Sequence, residues 1–284
     1  MTGEAPVSLT HPPAEVRWEK VHYLKSSDQG PPESHTFEYE LWLPDFLASW
    51  DVWDYWERPR IHSMRRHLKP GMRLWDVGAE VGWLSVVYAS MVGPENMVLI
   101  EPTAAFWPNI RRTWEHNWEV APFEVVHALL SNVNSDGAEL GVLWGAQLSN
   151  ADPSVVWPDP SEGDLIERRS YTYIHEHAGQ VPQITAGALA ESIGPPDALT
   201  IDVDGAELLV LWGCRGLFET TRPLVWVSLH PDLMWKDYKT TTGQLFRYML
   251  SFDYEPIVIA VDHETHVAFF PSGTDPALTT VKEY

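Results

Sequence analysis

The sequence predicts an α/β fold. A mostly parallel sheet ends in an antiparallel C-terminal hairpin, preceded by N-terminal strands and interrupted by an inserted lid-like region. Three observations predict it. From about residue 69 onward, short apolar runs alternate with amphipathic stretches. Several of the runs end on an ionisable residue: Asp76, Glu101, Asp202 and His230. The last two runs, Pro256 to Val261 and His266 to Phe270, are joined by Asp262-His263-Glu264-Thr265, short enough for a tight hairpin.

Residues 1–68 read as an N-terminal extension and helical cap, and 69–284 as the main domain. Val16 to Leu24 and Thr36 to Leu43 alternate apolar and polar residues, as half-buried strands do. Asp45 to Leu68 carry a helical pattern interrupted at Pro59. Lys69-Pro70-Gly71-Met72 is a turn into a strand over Arg73 to Val77, followed by a helix over Gly82 to Met91. Then come a strand at Asn96 to Glu101, a helix at Ala104 to Glu119 and a strand at Phe123 to Leu130. Ser131 to Thr185 break the alternation; strand patterns at Leu140 to Trp144 and Arg168 to His175 flank a loop rich in proline and acid. This insertion is expected either to cover the crevice or to form a peripheral hairpin. The alternation resumes with a helix at Thr185 to Ile193, a strand at Ala198 to Val203, a helix at Ala206 to Thr220, a strand at Leu224 to Leu229 and a helix at Gln244 to Phe252.

Composition narrows the function. Nineteen Lys and Arg against 40 Asp and Glu give a formal net charge of -21, a sign that repels nucleic-acid backbones and anionic membranes. Arg58, Arg60, Arg65, Arg66, Arg111 and Arg112 could still form one positive face. No apolar run is long enough to span a bilayer, and the first residues lack the basic and apolar regions of a secretory signal. The single cysteine, Cys214, allows no internal disulfide and suits a cytoplasmic location. The 15 tryptophans, among them Trp42, Trp50, Trp53 and Trp56, suit either a core or a stacking surface for a sugar or aromatic acceptor.

The most informative stretch is Arg73 to Ser85, R-L-W-D-V-G-A-E-V-G-W-L-S: strand, glycine-bearing turn, helix start. Gly78 and Gly82 allow positive φ and close backbone approach, and Glu101 at the next strand tip is placed to accept from ribose hydroxyls. A pyrophosphate binder usually has a middle glycine where this loop has Glu80. A carboxylate there repels a pyrophosphate but tolerates a cationic ligand such as S-adenosylmethionine, which carries a sulfonium and an ammonium. A second cluster, I-D-V-D-G-A-E from Ile201 to Glu207, puts Asp202 and Asp204 at another strand end and Glu207 at a helix start.

Together W-D-V-G-A-E-V-G-W-L-S, L-I-E-P and T-I-D-V-D-G-A-E-L-L-V-L-W-G resemble the FkbM-type family of S-adenosylmethionine-dependent methyltransferases, over about Lys69 to Pro271. The resemblance implies a Rossmann-like class I methyltransferase fold and O-methylation of a hydroxyl on a sugar or other natural-product acceptor. It also implies that Asp76, Gly78, Glu80 and Gly82 line the methionine end of the cofactor, that Glu101 holds the ribose and that Leu129 and Leu130 flank the adenine. Asp202 takes the position facing the methyl group. Glu80 stands where that family usually has asparagine, Asp204 where it usually has glutamate, and Ser228 where an acid is expected before His230.

An acceptor hydroxyl needs a base, and Asp202 and His230 are the candidates. A divalent metal held by Asp202, Asp204, Glu207 and His230 is the variant of a metal-free site. His263 and His266 read as exposed turn residues. The partner expected is a small-molecule or glycan acceptor, not nucleic acid or membrane, and a homo-oligomer stays open. The competing class is a non-catalytic Rossmann-like module that binds a nucleoside or glycan.

Overall fold

The structure is a computed structural model that describes residues 18–23, 39–44, 57–103, 106–135, 181–261 and 264–274. Its centre is a seven-stranded sheet of β3 (Leu74–Val77), β4 (Met97–Ile100), β5 (Glu124–Val126), β8 (Ala198–Ile201), β9 (Leu224–Leu229), β10 (Tyr254–Val261) and β11 (Thr265–Pro271). The strand order is β10-β11-β9-β8-β3-β4-β5. β5, β4, β3, β8 and β9 run parallel, while β11 is antiparallel to both β9 and β10. The four-residue strands β3, β4 and β8 are buried at every position, as a sheet covered on both faces requires. The expected mixed sheet and C-terminal hairpin are both present.

The two faces of the sheet carry separate apolar clusters. One gathers Leu74, Leu99, Trp226 and Phe270 with α1 (Arg58–His67), α2 (Trp83–Val92) and α3 (Trp107–Asn117), through Ile61, Met64, Val87 and Trp114. The other gathers Trp75, Val98, Leu199 and Val225 with α4 (Ala186–Ile193), α5 (Glu207–Gly213), α6 (Arg215–Glu219) and α8 (Thr242–Leu250), through Leu189, Leu211, Phe218 and Leu245. Alternate residues of each strand feed opposite clusters, as the two-residue period of a strand dictates. The N-terminal strands β1 (Trp18–Tyr23) and β2 (Tyr39–Pro44) form their own antiparallel ribbon, near the expected positions. Asn117 joins β2 to α3: its side chain accepts from the Trp42 N–H at 2.8 Å and donates to the Trp42 carbonyl at 2.9 Å.

Three elements depart from the sequence reading, while Pro59 sits in the first turn of α1, where a missing N–H costs nothing, and the helical pattern expected before residue 57 lies outside the described residues. The run expected as one strand over Phe123 to Leu130 is split. β5 leaves β4 after Val126, and the chain passes into β6 (Leu129–Leu130), which pairs with β7 (Gln183–Ile184). The helix expected over Ala206 to Thr220 breaks at Cys214 into α5 and α6. A helix α7 (Pro231–Tyr238) follows His230 with no counterpart in the expected elements; its signals were Pro231 at the first helical position and Asp232 in the first turn. The strand patterns expected at Leu140 to Trp144 and Arg168 to His175, and most of the insertion, lie outside the described residues.

Gly213, the last residue of α5, gives a test of this packing. A Cβ built there would lie 2.0 Å from the Ser131 carbonyl oxygen, so α5 meets the segment after β6 backbone against backbone. Replacing a helical glycine with alanine ordinarily stabilises by about 1 kcal/mol. Overpacking against fixed backbone costs about 1–3 kcal/mol. Gly213→Ala is therefore expected to lower the urea midpoint; a raised midpoint would show that the close approach is not maintained.

Candidate functional site

Parallel pairing brings the C-terminal ends of β3, β4, β8 and β9 to one edge of the sheet. Gly78, Glu101, Asp202 and His230 follow those four strands directly and therefore share that edge, where open α/β sheets bind ligands. Backbone bonds lock the tips together. The Gly78 N–H donates to the Ile100 carbonyl at 2.9 Å, the Asp202 N–H to Val77 at 2.9 Å and the Glu101 N–H to Val126 at 3.1 Å.

The glycine loop is shaped by left-handed backbone. Gly78, Glu80 and Gly82 have φ of 90°, 47° and 82°. Gly78 is irreplaceable on a second ground: a Cβ there would lie 1.8 Å from the Asp202 carbonyl oxygen. The Glu80 position does carry the conformation that glycine favours, and the glutamate adopts it at a cost of about 1–2 kcal/mol. The carboxylate of Glu101 supports that turn by accepting from the Glu80 N–H at 2.9 Å, and its other oxygen accepts from Thr103 at 2.7 Å. Asp76 is buried within β3 and accepts from the Ser85 hydroxyl at 2.5 Å, which ties β3 to α2. Leu129 is half-buried, but Leu130 packs into the core with Ile184 and Leu211.

The second cluster converges on His230. Its Nδ1 lies 2.6 Å from Glu207, while its Nε2 lies 3.0 Å from Glu264, 3.7 Å from Asp202 and 3.9 Å from Asp204. Burial alone would lower its pKa. The bonds to Glu207 and Glu264 and the charge of Asp202 outweigh burial and push it up to about 12. These carboxylates favour the protonated ring, and an imidazolium has no lone pair with which to accept a proton. The same occupancy speaks against the metal variant. Ligand atoms of Asp202, His230 and Glu264 do lie within 4.8 Å of one another, yet both ring nitrogens already face carboxylates, and nothing supports an ion there.

Arg60 was expected on a surface and is instead 1% exposed. It pairs with Glu57 at 3.0 Å and Asp202 at 3.3 Å, donates to the Tyr88 hydroxyl at 2.5 Å, and donates to Ser228. Ser228, the departure before His230, thus has a defined role as a neutral acceptor. His266, expected in an exposed turn, is fully buried in β11 with its Nδ1 3.0 Å from the Ser228 hydroxyl. His263 lies outside the described residues. Tryptophans divide likewise: Trp75, Trp114 and Trp226 are core, and Trp42, Trp212 and Trp235 are exposed. Trp50, Trp53 and Trp56 lie outside the described residues.

Residues 76–256 match the methyltransferase FkbM domain model, more than half of the chain. The chain belongs to the FkbM methyltransferase family. The match begins at Asp76 and includes the glycine loop, Glu101, the Asp202 to Glu207 cluster and His230. A 46-residue stretch is 44% identical to Protein-L-isoaspartate O-methyltransferase 1 of Arabidopsis thaliana, covering 14% of this chain and 20% of that protein. The FkbM methyltransferase structure from Methylobacillus flagellatus KT is similar at 16% identity and a TM-score of 0.41, over 70% of this chain and 44% of that one. Aeropyrum pernix fibrillarin, solved with natively bound S-adenosyl-L-methionine, is similar at 11% identity and a TM-score of 0.36, over 71% and 67%. The chain thus spans a fifth of the curated relative and under half of the FkbM structure. Residues 76–256 are thus a methyltransferase FkbM domain built on the mostly parallel sheet.

Burial governs the proton affinity of three carboxyl groups at this edge. Burial raises Asp76 to about 6 and Glu101 to about 7. Burial, then the charges of Asp202, Glu207 and Glu264, raise Asp204 to about 7 against the pull of His230.

These shifts fix how stability depends on pH. The raised carboxylates hold more protons folded than unfolded between about pH 4 and 7, and His230 does so from about 6.5 upward. Stability therefore falls as pH rises through either window. His62, lowered to about 4 by burial and by Arg58, Arg66 and Arg65, opposes this below its ordinary value, so the clear window lies above neutrality. Urea denaturation should show stability falling from about pH 7 to 8.5, by up to about 1.4 kcal/mol per unit for one retained proton. His230→Gln should flatten the slope; an unchanged slope in that variant would show that His230 does not carry the proton.

Proposed function

We propose that this FkbM domain transfers the methyl group of S-adenosylmethionine to a hydroxyl oxygen of a sugar or other small natural-product acceptor. The observation that carries the reading is the meeting of Gly78, Glu101 and Asp202 at one sheet edge, within the segment that matches the family. When bound, S-adenosylmethionine supplies an activated methyl group, and the protein's task is chiefly alignment. Glu101 is placed for the ribose, and Asp76, Gly78, Glu80 and Gly82 for the methionine end. Leu129 is the better placed of the two leucines to meet the adenine, because Leu130 is committed to the core.

Asp202 and His230 form the reacting end of this site, with unequal tasks. His230, charged and braced by Glu207 and Glu264, orients Asp202 rather than accepting a proton. Burial would raise the pKa of Asp202; the charges of Arg60, His230 and His266 overcome it, and the carboxylate stays ionised. A weakly basic carboxylate is suited to directing a hydroxyl and opposing a nearby sulfonium. Asp204 has the proton affinity of an effective base near neutral pH, with a side chain 36% exposed. Asp204 also holds a left-handed φ of 47°, a conformation that costs energy and recurs in functional loops. The exposed indole of Trp235, on the helix that starts beside His230, is consistent with a flat acceptor.

Calorimetry with S-adenosylmethionine tests the reading. Affinity should rise between about pH 5.5 and 8 with release of protons, because a cationic ligand lowers the raised carboxylate pKa values. Absence of binding at millimolar cofactor would sink the methyltransferase reading. Glu101→Ala should weaken binding by about 1–3 kcal/mol, the usual cost of losing charged hydrogen bonds; undiminished affinity would exclude Glu101 from the cofactor site. In a screen of hydroxylated acceptors, Asp204→Asn should lose turnover while retaining cofactor, and Asp204→Glu should keep part of it. Cofactor binding without turnover of any acceptor would favour a non-catalytic nucleoside- or glycan-binding module.

A further inference from the structure

Arg60 and Glu57 stand on and just before α1, and Glu264 and His266 stand at the C-terminal hairpin. All four lie outside residues 76–256, the segment that matches the family. They nevertheless meet inside it. The Arg60 guanidinium touches Asp202 at the tip of β8, Ser228 in β9 and Tyr88 in α2. Glu57 pairs with the guanidinium at 3.0 Å and faces His266 Nε2 at 3.5 Å, and His266 Nδ1 returns to Ser228 at 3.0 Å.

A charge this deeply buried is a poor way merely to dock a helix. Removing an ion from water costs several kcal/mol, and replacing a buried pair with apolar packing is often neutral or stabilising. α1 already has apolar anchors, since Ile61 and Met64 are buried in the core. What an apolar residue at position 60 could not do is meet Asp202. Ser228 sharpens the point. An acid at that position would compete for the guanidinium; a neutral hydroxyl accepts from it and leaves the charge to Glu57 and Asp202.

We propose that Arg60 is a positioning residue of the methyl-transfer site, contributed by a helix outside the family segment, and that its guanidinium fixes the Asp202 carboxylate at the tip of β8. The proposal rests on the reading of Asp202 as the residue at the reacting end. α1 is then part of the active site, although it lies before the family segment. Among the described residues, the groups that face Asp202 are Arg60 from α1, His230 after β9, His266 from β11 and Asp76 from β3, with Asp204 on its own loop.

The test is a carbon-13 carboxyl NMR titration of the full chain without cofactor, with the Asp202 resonance assigned by its loss in Asp202→Asn. In the unmodified protein Asp202 should titrate below the ordinary aspartate value of about 3.9. Arg60→Gln should raise its proton affinity at least about tenfold, and Arg60→Lys should recover part of the difference. Glu57→Gln loosens the same helix but leaves the guanidinium in place, so Asp202 should stay low. An unshifted Asp202 in Arg60→Gln, or an equal rise in Glu57→Gln, would overturn the proposal. Should the variants fail to fold, an Asp202 that titrates at or above about 3.9 in the unmodified protein overturns it as well. Calorimetry of the unmodified protein with S-adenosylmethionine runs separately. Failure there removes the functional reading and leaves the Arg60–Asp202 linkage standing.

Discussion

The backbone contact between Gly78 and Asp202 is the constraint on which the site depends. β3 and β8 are adjacent parallel strands, and their chains diverge immediately after Val77 and Ile201. For both loops to stay at the sheet edge, one must pass against the carbonyl of the other, and the 1.8 Å distance to a hypothetical Cβ shows that only glycine can. Everything chemical follows from that approach. It carries the glycine turn toward α2, where Ser85 reaches back to Asp76, and it leaves the Asp202 side chain free to turn toward Arg60 and His230. It also sets Asp76, Asp202 and Asp204 close enough for their charges to influence one another.

That crowding explains why the cations are where they are. Among the described residues, five carboxylates, Glu57, Asp202, Asp204, Glu207 and Glu264, meet Arg60, His230 and His266 across the two linked clusters. Arg60 and His230 approach different oxygens of Asp202 and hold it below the usual carboxylate range, while burial and acidic neighbours raise Asp204 beside it. Two acids on one short loop thus acquire different proton affinities from different neighbours. Such a separation is how a single fold can supply both an anionic group and a proton acceptor near neutral pH.

The fold was legible because its signals are local. Strand runs, glycine turns and strand-end acids can be read from consecutive residues, and parallel topology then carries the tips to one edge. The Asp76 to Gly82 loop and Glu101 were placed for this reason. What could not be read were breaks set by tertiary contact. The run through Leu130 has uniform strand character, yet the Leu129 N–H finds the Pro182 carbonyl, more than 50 residues away, and the strand divides. The helix break at Cys214 follows from Gly213 meeting the Ser131 backbone, which helical periodicity does not encode.

The charged residues show the same limit in its sharpest form. Arg60 sits in R-P-R-I-H-S-M-R-R, a stretch whose arginines look alike in sequence. Arg65 reaches Tyr39 on the N-terminal ribbon, whereas Arg60 turns inward by virtue of its helical face, shared with Ile61, Ser63, Met64 and His67. A pattern count that treats arginine as polar puts this residue on the surface. His266 was misread for the complementary reason: its hairpin partner region suggested a turn, while its register opposite Ser228 places it beneath Arg60. Charge burial is a property of pairs, and the pair here joins positions 60 and 202. The match to the family model begins at Asp76 and contains only the second of them. Glu57 and Arg60 before the family segment, and Glu264 and His266 after it, thus complete a charge pairing whose other half lies within it.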